Sequence, residues 1–86
     1  MNKAEKNILR GELIGAKVKI DDRWEGKIID ETKNMFLVAT DDGEKKFIKK
    51  THDFEITKNR ETIKINGEKL CIKPEERIKE KWLKKI

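Results

Sequence analysis

WEGKIIDETKNMFLVAT, residues 24–40, reads as two strands folded back on each other, and it sets the character of everything around it. The first arm, Trp24 to Glu31, carries Ile28 and Ile29, while the second, Met35 to Thr40, is a nearly continuous apolar run, as a strand covered on both faces requires. Thr32, Lys33 and Asn34 form the bend, with Asn34 expected to take the left-handed conformation, and Gly26 inside the first arm predicts a bulge or a sharp strand bend. A bent strand paired with a fully apolar one is the centre of a small curled sheet.

Upstream, residues 16–21 alternate, with Val18 and Ile20 on one face and Lys17, Lys19 and Asp21 on the other, which predicts a half-buried strand turning at Asp21, Asp22 and Arg23. Residues 1–10 predict a short helix with Ala4, Ile8 and Leu9 on one side, ahead of Gly11, Leu13, Ile14 and Gly15. Downstream, Asp41-Asp42-Gly43 is a hairpin turn leading into EKKFIKK, in which adjacent Phe47 and Ile48 must point to opposite faces. Residues 51–53 break the run before Phe54 and Ile56 resume the alternation. A turn at residues 59–61 precedes Ile63 and Ile65, and Asn66-Gly67 predicts a second hairpin turn into a strand over residues 68–72. Pro74, Glu75 and Glu76 announce a helix over residues 74–86, since proline suits the first helical position and acids suit the first turn. Its apolar stripe is Ile78, Trp82, Leu83 and Ile86, and its basic side is Arg77, Lys81, Lys84 and Lys85.

The expected fold is mainly β: a small, strongly bent antiparallel barrel of five or six strands with short N-terminal and C-terminal helices. It makes a single domain over residues 1–86, with a helical extension over 1–14, the barrel over 16–72 and the closing helix over 74–86. A chain of 86 residues buries a modest core, so exposed apolar residues at its ends suit contact with another protein. Ile8, Leu9 and Leu13 at one end and Ile78, Trp82 and Leu83 at the other are the candidates.

Charge narrows the partner. Lys and Arg number 22 against 17 Asp and Glu, giving +5 and a pI near 9.4, which suits a polyanion. The lysine pairs Lys45-Lys46 and Lys49-Lys50 flank Phe47 and Ile48; they read either as a solvated strand edge or as phosphate contacts that position a backbone without reading its bases. On a helical wheel Arg77, Lys81 and Lys84 fall within about 60° of one another, with Lys85 beside them.

No catalytic constellation emerges. The acidic pairs Asp21-Asp22, Asp30-Glu31 and Asp41-Asp42 have no reason to converge, His52 is the only histidine, and no glycine-rich phosphate loop has the required spacing. No metal ligand set and no cofactor bound by this chain are expected. Cys71 stands alone, which suits a reducing compartment, and the chain has neither a membrane-length apolar run nor the apolar core of a signal peptide. A cytoplasmic protein with no membrane partner is the expectation.

ELIGAKVKI, GKIIDETKNMFLV, DDGEKKF and PEERIKEK, in this order and spacing across residues 8–81, resemble the Sm-like protein subunit of archaeal ribonuclease P, the counterpart of a eukaryotic ribonuclease P and MRP subunit. The resemblance implies an Sm-like or SH3-like barrel. It implies work in the ribonucleoprotein that removes the 5′ leader of precursor tRNA, where RNA is the catalyst and the magnesium belongs to that RNA. It also implies pairing with a small zinc-ribbon protein subunit, binding to ribonuclease P RNA and only indirect contact with precursor tRNA. The RNA-facing residues would be Lys45, Lys46, Lys49, Lys50, Arg77, Lys81, Lys84 and Lys85. A ribosome- or translation-associated SH3-like RNA-binding module would share the charge and the hairpins.

Overall fold

Residues 3–78 are described by a computed structural model of the chain. Helix α1 (Lys3–Leu9) leads into strands β1 (Lys17–Ile20), β2 (Trp24–Glu31), β3 (Met35–Thr40) and β4 (Gly43–Ile48). A 3₁₀ turn (Lys49–Thr51), β5 (Asp53–Lys58), β6 (Glu61–Asn66), a second 3₁₀ turn (Gly67–Leu70) and helix α2 (Pro74–Ile78) follow. All six strands pair antiparallel in the order β4-β3-β2-β1-β5-β6, the mainly β architecture expected from the alternating pattern. Within α2 lie only the first five residues of the expected helix; Lys81, Trp82, Leu83, Lys84 and Lys85 lie outside the described residues.

The turns follow their chemistry with two exceptions. Asn59 and Arg60, both at positive φ (51° and 67°), link β5 to β6, and Gly43 at φ 103° closes the β3–β4 turn. Left-handed residues also occur at Asp21 and Asp22 rather than at Asn34. The bend before β3 is held instead by Thr32, whose backbone N–H donates to the Met35 carbonyl (2.9 Å) and whose hydroxyl accepts from the Met35 N–H (3.2 Å). The second exception is Asn66-Gly67, which starts a 3₁₀ turn and not a hairpin. The Asn66 side chain accepts from the Glu68 N–H at 2.8 Å and so caps that turn, leaving no strand over residues 68–72. Gly67 is required there for space: a Cβ would sit 1.5 Å from the Lys49 carbonyl oxygen. Its N–H donates to the His52 carbonyl (2.9 Å), so the two 3₁₀ turns lock together where β4 and β6, the edges of the sheet, do not pair.

The irregularity expected at Gly26 falls three residues later. The register slips between Ile28 and Asp30, so Ile29 is the extra residue of a bulge. Gly26 itself permits close strand approach, since a Cβ would come within 2.2 Å of the Ala39 carbonyl. The slip has a large consequence: Ile28 faces inward opposite Val38, and Glu31, which strict alternation would send outward, faces inward opposite Phe36.

Ile20, Ile28, Phe36, Val38, Phe54 and Ile56 fill the interior, with the Phe36 and Phe54 rings edge-to-face at 5.1 Å. Phe47 is buried and Ile48 is 48% exposed, as their adjacency requires. Ile8, Leu9 and Leu13 belong to this same core and are no more than 2% exposed, which corrects their assignment to a partner surface. A short sheet leaves its concave face open, and α1 with the loop after it supplies the missing cover.

Candidate functional site

Two populations of basic side chains have to be separated before any surface can be assigned a role. The first lies inside. Glu31, delivered to the interior by the bulge, has a side chain 1% exposed, and its Oε2 accepts from Lys49 Nζ at 2.8 Å and from Arg77 Nη1. Lys49 also donates to the carbonyls of Thr32 (2.7 Å) and Leu70 (3.0 Å), and its ammonium lies 4.8 Å from the centroid of Phe36. Arg77 donates from Nε to the Leu9 carbonyl (3.1 Å) and from Nη2 to the Gly11 carbonyl (3.3 Å). Leu9 closes α1, and the last carbonyls of a helix lack partners within it, so Arg77 satisfies one of them. One buried carboxylate and two buried cations thus tie α1, β2, both 3₁₀ turns and α2 to a single point.

Burial penalises a charge, and Lys49 shows it. Its pKa is lowered from 10.5, chiefly by desolvation, with the Glu31 hydrogen bond and charge acting in the other direction. Lys49 and Arg77 are both 0% exposed, so neither reaches a phosphate, and their assignment to an RNA-facing set is corrected. In the described part of α2 the expected faces are exchanged. Arg77 points inward and Ile78, expected on the apolar stripe, is 42% exposed. The cause is Glu31: an unpaired carboxylate inside a small core is far more costly than an exposed isoleucine.

The second population is outside. Lys46 projects from the outer face of β4 and Lys50 is exposed in the 3₁₀ turn that follows, while Lys45, across from Val38, is half-buried. Together they line the free edge of the sheet. Lysines along an edge discourage strand addition and also present cations to a polyanion. The outer face of β1 and β2 adds Lys17 and Lys27, both exposed, which sequence reasoning missed because each reads singly as the polar half of an alternating strand.

A third cluster sits where β1 turns into β2. Asp21 accepts from the Asp53 N–H (2.8 Å) through Oδ1 and contacts His52 Nδ1 (2.5 Å) through Oδ2, and these bonds lower its pKa from 3.8, the backbone bond most. His52 packs edge-on to Trp24, Phe47 and Phe54, and Arg23 lies 4.5 Å from the Trp24 ring centroid. Both rings therefore serve the rim of the core, as a loop histidine and a strand-end tryptophan ordinarily do. Cys71, half-buried just after the second 3₁₀ turn, donates to the Gly67 carbonyl at 3.4 Å. Among the described residues no three His, Cys, Asp or Glu side chains gather as a metal site, and no helix is long and apolar enough to cross a membrane.

What the fold and the charge distribution define is a small antiparallel β module that offers cations on its outer surface. Residues 6–80 match the family model described as ribonuclease P/MRP, subunit p29. The chain belongs to that family. A relative from Pyrococcus furiosus, named ribonuclease P protein component 1, is 43% identical over 91 residues, covering 93% of this chain and 69% of its own length. Proteins of the same name from Methanothermobacter thermautotrophicus and Methanocaldococcus jannaschii are each 36% identical. The first match covers 92% of this chain and 95% of the relative, the second 87% of both.

Proposed function

We propose that this chain is the Sm-like protein subunit of ribonuclease P that binds the RNA and supports it in removing the 5′ leader of precursor tRNA. The family match across residues 6–80 is the observation that carries the reading. The geometry supports it: the cations that remain outside include lysines on a sheet edge and on an open sheet face, an arrangement suited to phosphate. RNA performs the chemistry and holds the magnesium. Lys45, Lys46 and Lys50 contact phosphate, and in the sequence beyond α2 Lys81, Lys84 and Lys85 extend that set. Ile78, with Trp82 and Leu83 further along, meets a small zinc-ribbon protein subunit.

The mechanism is electrostatic substitution. Packing RNA helices brings phosphates within a Debye length of one another, about 8–10 Å at ordinary ionic strength, and magnesium normally screens them. Lysines fixed on a folded surface do the same at lower metal concentration, while releasing condensed counterions. Reconstitution of ribonuclease P RNA with its protein subunits, with and without this chain, tests the reading. Addition of the chain is expected to lower the magnesium needed for half-maximal cleavage of precursor tRNA. A magnesium requirement that stays the same contradicts it, and cleavage by the purified chain alone contradicts the assignment of the chemistry to RNA.

A further inference from the structure

The outer face of the sheet carries two neighbouring cross-strand rows that treat charge differently. One runs Lys64, Glu55, Lys19, Glu25 across β6, β5, β1 and β2, alternating in sign at every step. Glu25 meets Lys19 at 3.6 Å and Glu55 meets Lys64 at 3.9 Å, so each carboxylate in the row has a cation. Opposite charges across strands stabilise a sheet, and like charges directly opposed weaken it.

The next row breaks the rule. It runs Thr62, Thr57, Lys17, Lys27, Ala39, Glu44, and it sets two exposed lysines directly opposite each other on β1 and β2. Among the described residues neither lysine side chain has a hydrogen bond or an ion pair. Thr57 and Thr62 use their hydroxyls on each other at 2.8 Å, and Glu44 stands at the far end of the row on the edge strand, with Ala39 between it and Lys27. A small residue beside a pair of cations leaves room for a ligand to approach; of the carboxylates lining the groove beside Lys17, Glu25 and Glu55 belong to the balanced row and Asp41 lies in the β3–β4 turn.

We propose that Lys17 and Lys27 form a phosphate-backbone contact for RNA on the outer face of β1 and β2, separate from the lysines of the β4 edge. The proposal rests on the RNA-binding reading above. An arrangement that weakens the free sheet is relieved when an anion lies between the two ammonium groups, and the repeating phosphates of RNA supply one without any base being read.

The pair gives an unusual test, because loss of binding is expected without loss of folding. Lys27→Glu places a carboxylate opposite Lys17 and should hold or raise the melting temperature while weakening binding to ribonuclease P RNA. In the Lys17→Ala, Lys27→Ala double variant the slope of log K against log salt should become shallower by about 1.4–1.8, two phosphate contacts' worth. Wild-type affinity and slope in both variants would overturn the site while leaving the RNA-binding reading in place. A lower melting temperature in both variants would also overturn it, by making the pair structural. A wild-type chain that fails to bind the RNA at any salt concentration overturns the parent reading, and this site with it.

Discussion

Lys49 and Lys50 follow one another in the same 3₁₀ turn, yet the first is sealed among Glu31, Thr32, Leu70 and the ring of Phe36 while the second is exposed to solvent. The difference extends to the whole molecule. In the interior, cations are fixed by hydrogen bonds, desolvated, and committed to holding chain segments together. On the β4 edge and the β1–β2 face they are hydrated and have few partners. A basic composition therefore overstates the surface available to a polyanion, and only the exposed lysines count toward it.

The most severe way to break the interior region is to remove its single carboxylate. Glu31→Gln leaves Lys49 and Arg77 as two buried cations without a counter-charge, and the expected loss is about 3–5 kcal/mol of unfolding free energy. It would be read as a lower urea midpoint. Lys49→Met should cost less, about 1–3 kcal/mol, mainly from the carbonyls of Thr32 and Leu70 left without a donor. Burial already disfavours the Lys49 charge, which offsets part of the loss. If the two variants have the same urea midpoint, the cluster is not organised by Glu31.

Acid separates the regions more gently. Asp21 has a folded pKa below its ordinary 3.8, so its contribution to stability is complete above that value and is lost as pH falls through the lower, folded one. Asp21→Asn should accordingly flatten the decline in melting temperature below pH 3.8 and leave the neutral limb parallel to wild type. The effect is small because the side chain is partly solvated, and a parallel acid limb in the variant would show that the charge on Asp21 does not contribute to stability.

Much of the sheet was legible because its signals are local. Alternation in residues 16–21, the Asp41-Asp42-Gly43 turn and the opposed faces of Phe47 and Ile48 each follow from a few neighbouring residues. The buried cluster was not legible. Nothing in IIDET marks Ile29 as the extra residue, and placing the bulge at Gly26 leaves Glu31 outside and both of its cations free for other work. Asn66-Gly67 misled for a related reason. Asparagine both accepts a hairpin turn and caps a 3₁₀ turn, and the choice is made by Lys49, whose carbonyl lies against Gly67 from 18 residues away. Ile8, Leu9 and Leu13 have the pattern of an exposed adhesive stripe only while the open face they cover is out of view.

The division between interior and surface cations is tested most directly by titrating ribonuclease P RNA against Lys49→Met and Lys50→Met across a range of salt. Lys50→Met is expected to keep the wild-type urea midpoint and to lower the slope of log K against log salt by about 0.7–0.9, the value of one phosphate contact. Lys49→Met should lower the midpoint and keep the slope. The reverse pattern, with the slope following Lys49 and the stability following Lys50, would contradict the account.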